Sequence, residues 1–144
     1  MINSFENYIK LGKVKKKTPD FEEAKTLLEK AENRLEYIKL KDIDGKTSQF
    51  LLEDSYEAIR ESVQALMSIK GFKPYSHEAS ISFIKEFHKV DFKEEEIRKF
   101  DRFRQLRNDS VYKAVTVSVE DAKASLVFSI QFVNKIKSII KLTK

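Results

Sequence analysis

The chain has 144 residues, of which 41% are hydrophobic and 35% charged, with a formal net charge of +5. This balance is typical of one folded domain, here residues 1–144, and excludes a disordered or membrane-spanning chain. The absence of cysteine excludes disulfide bonds and thiolate metal sites, and the two histidines lack the spacing of a zinc motif. We therefore expect a cytoplasmic protein without metal or cofactor. Its basic excess permits a nucleic acid partner.

Residues 1–17 form a basic leader that contains the run KVKKK. This run predicts a solvated segment, either flexible or a short helix, with phosphate contact as the alternative. Thr18, Pro19 and the acidic residues after them are typical of a helix N-terminus. The first long helix is therefore predicted over about residues 19–40. Its apolar stripe consists of Ala24, Leu28, Ala31, Leu35 and Ile38.

Two further helices are predicted in the middle of the chain. The first covers about residues 47–70, and its apolar arc is so wide that we expect it to pack on more than one neighbour. Gly71 and Pro74 end it, and Ser76 begins a shorter helix that reaches about residue 88. The inward residues of that short helix are Ile81, Ile84 and Phe87.

The last third of the chain predicts two helices. Asp91 and Glu94 resemble a capping box, and the helix after them places Ile97, Phe100 and Phe103 inward. The β-branched segment KAVTVS predicts an extended connector, and a final helix covers about residues 118–142. That helix has two apolar stripes, which fit either a subunit interface or a central helix of a monomer. The fold class is all-α, an antiparallel up-and-down bundle of four to five helices.

Arg107 is the first candidate for a functional residue. It lies seven residues after Phe100 and four after Phe103, so it continues their apolar face. A buried arginine has to be paired or kept for a ligand. Two interpretations follow: a salt bridge to an acidic residue of a neighbouring helix, or a guanidinium that binds phosphate.

Tyr112 and Lys113 are candidates because they follow Arg107 closely. Residues 108–110 read Asn-Asp-Ser and are weak helix formers, so we expect the helix to end there. Arg107 and Tyr112 then converge at the helix end. The alternatives are a half-buried tyrosine with a solvated hydroxyl and a merely solvated lysine.

His77 and Arg60 complete the candidate residues. His77 lies in the first turn of the third helix, where the positive helix end favours the neutral imidazole. A structural role is the alternative for this histidine. Glu57 and Arg60 are three residues apart on the second helix, and this spacing predicts a local ion pair.

The segments YEAIRESVQALMSIKG, KPYSHEAS and LRNDSVY, in this order, resemble the HEPN family (higher eukaryotes and prokaryotes nucleotide-binding domain). The resemblance covers nearly the whole chain. The family signature is an arginine, often followed by a polar residue, then three residues, then a histidine. Arg107 matches the arginine and Asn108 the polar residue, whereas Tyr112 stands where the histidine is expected.

The resemblance implies a helical homodimer in which the motifs of both chains face a shared cleft. It also implies a nucleotidyltransferase partner or, in active members, a metal-independent endoribonuclease that can be a toxin. Arg107 would then stabilise phosphate charge, Asn108 would orient the phosphate or the motif, and Tyr112 would occupy the acid/base position.

The tyrosine changes the expected function. A tyrosine hydroxyl with a pKa near 10 is ionised in only about one molecule in a thousand at pH 7, so it is a poor general base. We therefore expect a nucleotide- or RNA-binding module first, with Arg107, Lys113, His77 and Arg60 as ligand-binding residues. A ribonuclease that uses Arg107, Asn108 and Tyr112 is the alternative, and a dimeric scaffold without a ligand is the second alternative.

Overall fold

The computed structural model describes residues 2–143 and is an all-α bundle with a minimal sheet. Its elements are α1 (Phe5–Lys10), β1 (Val14–Lys16), α2 (Phe21–Lys39), α3 (Ser48–Lys70), β2 (Phe72–Pro74), α4 (His77–Phe87), α5 (Glu94–Tyr112) and α6 (Val119–Thr143). The predicted fold class is confirmed. The bundle has one helix more than expected, because the leader contains α1.

Helix α3 is the centre of the bundle. It contacts α2, α4, α5, α6 and β2, which confirms that its wide apolar arc serves several neighbours. Helix α2 buries all five residues of its predicted stripe. Its beginning differs from the prediction: Asp20, not Thr18, is the N-cap, and its Oδ1 accepts a hydrogen bond from Glu23 N at 3.0 Å.

The leader packs on the rest of the fold, while Lys13, Lys15 and Lys16 of its KVKKK run are exposed. Phe5, Tyr8 and Val14 are buried in the common core. Strand β1 pairs antiparallel with β2, so that Lys15 lies opposite Lys73. Burial of three large side chains and pairing of the backbone hold this segment, although its lysine content alone favours solvation.

The ends of α4 and α5 show one confirmed and two wrong predictions. Ser76 Oγ caps α4 by accepting a hydrogen bond from Ala79 N at 3.2 Å, as expected. Phe87 is 38% exposed rather than inward. The expected capping box at Asp91 and Glu94 is shifted by two residues, since Glu96 Oε1 accepts from Lys93 N at 2.9 Å.

An ion-pair network that we did not predict joins α2 to α3. The carboxylate of Glu61 is 1% exposed and accepts hydrogen bonds from Arg34 Nε at 2.9 Å and Nη2 at 3.2 Å. Lys30 and Asp54 extend the network. A buried carboxylate in this geometry is charge-compensated and aligns the two helices.

Helix α6 covers α3 and α2. Ser118 caps it by accepting a hydrogen bond from Asp121 N, as the sequence predicts. Both predicted stripes are buried in part. The stripe of Phe128, Phe132, Ile136 and Ile139 is buried except for Ile139, which is partly covered. The other stripe buries Ala122 and Val133, whereas Leu126, Ile130 and Ile140 are only partly covered. Within residues 2–143, no helix combines the length and apolar character needed to cross a lipid bilayer.

Candidate functional site

Arg107 lies near the C-terminal end of α5 with a half-buried side chain. Its Nη1 donates a hydrogen bond to Asn108 Oδ1 at 3.2 Å. No carboxylate of residues 2–143 lies within 4 Å of its guanidinium, so the salt bridge considered for it is not formed in the described chain. Most of its donors remain available to a ligand.

Arg104, one turn earlier on α5, has the opposite environment. Its Nε donates to Asp101 Oδ1 at 2.8 Å, and its Nη1 lies 3.8 Å from Glu78 Oε1. Two carboxylates therefore compensate Arg104. Arg104 is therefore held in place by ion pairs, whereas Arg107 is available to bind a ligand.

Helix α5 does not end at residues 108–110, so that expectation is wrong. It continues through Tyr112, and Lys113 N caps it by donating to Asp109 O at 3.0 Å. Ser110 is held by the body of the protein, because its Oγ donates to Glu53 Oε2 on α3 at 3.0 Å. This tertiary bond outweighs the low helix propensity of the segment.

Arg107 and Tyr112 nevertheless come together. The guanidinium carbon of Arg107 lies 5.8 Å from the centroid of the Tyr112 ring, within cation–π range. The long arginine side chain spans the five-residue spacing, so no helix break is needed. Tyr112 is 74% exposed, which places its hydroxyl on an open surface of the single chain.

Asn108 and Lys113 lie beside this pair. Asn108 contacts Arg107 through the hydrogen bond above. Lys113 Nζ lies 3.4 Å from Asp109 Oδ1 on the same helix, so its charge is partly compensated. Both residues line a shallow depression of about 420 Å³ with Gln105, Asp109 and Tyr112.

The ring of His77 stacks on Tyr56 of α3. Their centroids are 5.5 Å apart, the planes differ by 15°, and the Tyr56 hydroxyl lies 2.9 Å from His77 Nδ1. Tyr56 is 1% exposed, and its hydroxyl has no other partner among residues 2–143. Because a buried hydroxyl needs an acceptor, it donates to Nδ1, and the neutral imidazole carries its proton on Nε2.

The electrostatics maintain these protonation states. Burial lowers the pKa of His77, and the positive charges of Arg107 and Arg60 lower it further. Burial also raises the pKa of Tyr56 far above the usual value of a tyrosine, so its hydroxyl stays protonated. His77 is therefore a neutral hydrogen-bond donor at physiological pH.

Arg60 forms the predicted pair with Glu57, and this prediction is confirmed. Its Nη1 also donates to Gln64 Oε1 at 3.1 Å. Burial acts to raise the pKa of Glu57, but the hydrogen bond and charge of Arg60 outweigh burial, and the pKa lies below its ordinary value. The ion pair therefore persists well below neutral pH.

A cleft of about 230 Å³ opens beside His77 and Arg60. Its other walls are Pro74, Tyr75, Ser76 and Ser80. Arg60 of α3 and His77 of α4 share this cleft. Arg107 of α5 is not part of its lining, but its positive charge helps to lower the pKa of His77. In the described part of the chain, no cluster of three or more histidine and carboxylate side chains is placed to hold a metal ion.

Sequence reasoning missed Tyr56, Arg104 and Tyr75. Tyr56 has the apolar spacing of a core residue, and only the position of its hydroxyl beside His77 distinguishes it. Arg104 lies three residues before Arg107, a spacing that places both on neighbouring parts of one face. Tyr75 lies two residues before the candidate residue His77, and this proximity could have identified it from the sequence.

The helical bundle defines the chain as an all-α domain, and Arg60 and His77 share one of its clefts. The family model of the HEPN domain matches residues 24–139, which is most of the chain. The chain therefore belongs to the HEPN family, and a module related to nucleotides or RNA is its functional class. No curated protein matches the chain.

Proposed function

We propose that this HEPN domain binds the phosphate of a nucleotide or RNA at the cleft beside Arg60 of α3 and His77 of α4, with Arg107 of α5 as a further phosphate ligand. The observation that carries the proposal is Arg107, whose guanidinium meets no carboxylate of residues 2–143 and lies 5.8 Å from the ring of Tyr112 on an open surface. Guanidinium groups bind phosphate oxygens through two parallel hydrogen bonds. Asn108 supports this role because it holds one edge of the guanidinium while the other nitrogens remain available.

His77 is the second ligand-binding residue of the proposal. With Nδ1 engaged by Tyr56, its Nε2–H is a neutral donor that can approach a phosphate oxygen. Arg60 contributes positive charge at the cleft wall, although Glu57 compensates part of it. Lys113 contributes least, since Asp109 pairs with it.

The proposed assembly is a homodimer that acts with a nucleotidyltransferase partner in the cytoplasm. Family membership supports a dimer in which the motifs face each other, and the exposure of Tyr112 at the end of α5 is compatible with a second copy there. A dimer would enclose the open depression beside Tyr112 and bring two Arg107 side chains to one ligand.

A metal-independent endoribonuclease is the second candidate. The contact between Arg107 and Tyr112 favours it, because both motif residues then face the same ligand. Tyrosine in the acid/base position can donate a proton to a leaving oxygen, although it is a weak base.

The test compares Arg107→Ala with Arg98→Ala, an exposed arginine at the start of the same helix. We expect Arg107→Ala to weaken binding of a labelled single-stranded RNA, or of ATP, by about 10- to 100-fold, the value of one or two charged hydrogen bonds. Arg98→Ala removes the same charge and should change the affinity less than about threefold. Fluorescence anisotropy and calorimetry measure both.

Three further results are informative. RNA cleavage in EDTA that Arg107→Ala and Tyr112→Phe both abolish would establish the ribonuclease instead. Equal affinity of the Arg107 and Arg98 variants would contradict the proposed cleft. Sedimentation equilibrium of the wild type checks the dimer, and a monomer mass at the concentration of the binding assay would remove that part of the proposal. A dimer that binds neither RNA nor ATP would support the remaining alternative, a dimeric scaffold without a ligand.

A further inference from the structure

Two lysines and a tyrosine form an exposed platform beside the cleft, which we call the β1–β2 platform: Lys15, Lys73 and Tyr75. Lys15 Nζ lies 5.3 Å and Lys73 Nζ 5.6 Å from the centroid of the Tyr75 ring. The Tyr75 side chain is 54% exposed. Its backbone N–H donates to Lys13 O at 2.8 Å, which fixes the ring at the end of the two-stranded ladder.

The platform carries uncompensated charge. Lys15 and Lys73 are directly opposite each other in the antiparallel register, so their side chains project from the same face. No carboxylate of residues 2–143 lies within 4 Å of either ammonium, whereas nearby Lys17 is paired with Glu23 at 3.2 Å. Like charges in directly opposed positions destabilise a strand pair, and a bound anion removes that cost.

The platform is continuous with the cleft of the proposed site. Tyr75 lines the cleft together with Arg60 and His77, and it also carries the two lysines. A ligand whose phosphate lies at His77 therefore has an aromatic surface next to it and two further cations beyond. A free mononucleotide has one base and one phosphate group or one run of phosphates, so it can occupy only part of this surface. A nucleic acid strand has alternating bases and phosphates, which match an anion site, an aromatic ring and further cations in a row.

We propose that the β1–β2 platform binds a second nucleotide of a single-stranded RNA whose neighbouring phosphate occupies the cleft. One base stacks on Tyr75, and the ammonium groups of Lys15 and Lys73 move from the ring to the backbone phosphates. Aromatic rings flanked by cations are the usual means by which proteins hold single strands without reading sequence. The inference rests on the proposed function and names its ligand as an RNA strand rather than a free nucleotide.

The experiment measures binding of a labelled mixed-sequence 12-nucleotide RNA, in anisotropy titrations at several salt concentrations. The double variant Lys15→Gln/Lys73→Gln should lower the slope of log affinity against log salt by about 1.4, since each phosphate contact on a single strand contributes about 0.7. The charge-matched control is Lys85→Gln/Lys89→Gln, two exposed lysines at the opposite end of α4, which should leave the slope unchanged.

Substitutions of Tyr75 distinguish the contribution of base stacking to RNA binding from that of charge. Tyr75→Ala should weaken RNA binding by about 5- to 150-fold, because stacking of one base contributes about 1–3 kcal/mol. Tyr75→Phe keeps the ring and should bind within about twofold of the wild type. The double lysine variant should not change the affinity for AMP, because Lys15 and Lys73 lie outside the lining of the cleft and AMP has no second nucleotide to reach them. Circular dichroism confirms that each variant is folded.

The outcomes distinguish this inference from the proposed function. If Arg107→Ala weakens RNA binding while both platform variants equal the wild type, the platform is overturned and the cleft stands. If the lysine variant weakens RNA and polyglutamate equally and Tyr75→Ala has no effect, the surface binds anions in general and the RNA assignment fails. If AMP binds as tightly as the 12-nucleotide RNA, the strand ligand is wrong. Wild-type protein that binds neither RNA nor AMP overturns both proposals.

Discussion

At the scale of single residues, the pKa of His77 depends on the charged groups around it. Its pKa is lowered first by burial and then by Arg107 and Arg60. We expect Arg107→Gln to raise this pKa, because one positive charge near the ring is removed while burial remains. Proton NMR titration of the imidazole C–H signals in wild type and variant measures the shift. A His77 pKa that does not move would mean that Arg107 points away from the cleft, and the proposed phosphate site would lose its main donor.

Two of the four arginines of α5 show what composition does not decide. Arg104 and Arg107 are the same residue type, three positions apart, and both are partly buried. Asp101 lies on the same helix as Arg104, but Glu78 comes from α4, and its distance depends on how the helices pack. Only the packing reveals which arginine is left for a ligand.

At the scale of elements, Gly71 controls the passage from α3 to β2. Its φ is +90°, and a Cβ atom there would lie 2.8 Å from Lys17 O, a backbone atom next to β1. We expect Gly71→Ala to destabilise the protein by roughly 2–4 kcal/mol, the sum of a left-handed alanine and a backbone clash. Urea unfolding measures the change.

Gly12→Ala is the matched control for Gly71→Ala. Gly12 also has a positive φ, +73°, but nothing lies within 4 Å of its added Cβ. It should lose only about 1–2 kcal/mol, the conformational part alone. Equal losses in the two variants would show that the close approach of β1 to Gly71 does not contribute to stability.

The helix ends illustrate the limit of local patterns. Ser76 and Ser118 were predicted as helix starts and both act as N-caps, because a cap is a contact between residues three apart. The end of α5 was predicted wrongly, because Ser110 is bound to Glu53 of another helix. A pattern within the segment contains no information about that partner.

At the scale of the whole molecule, the leader should contribute to the stability of the bundle. Phe5 is 2% exposed and makes edge contacts with Phe72, Phe83 and Phe87 at centroid distances of 5.1 to 5.6 Å. We expect Phe5→Ala to lower the free energy of unfolding by roughly 3–5 kcal/mol. Denaturant unfolding followed by circular dichroism gives the value.

Phe50→Ala is the control for this substitution, because Phe50 is 57% exposed and loses little buried area. Its effect should stay below about 1 kcal/mol. If Phe5→Ala were as mild, the leader would be a loosely attached segment after all, and the β1–β2 platform would lose its support.

The sequence by itself determined the helical class, the five long helices and most of their buried faces. Those features follow from apolar spacing and capping residues, which act within a few positions of one another. It also singled out Arg107, Tyr112, His77 and Arg60 one by one. Tertiary structure alone decided that His77 meets Tyr56, that the charge of Arg107 helps to lower the pKa of His77, and that Lys15 of the leader reaches Lys73 beside Tyr75. The residues of each pair are 21 to 58 positions apart, and their proximity depends on how the elements pack rather than on any local pattern.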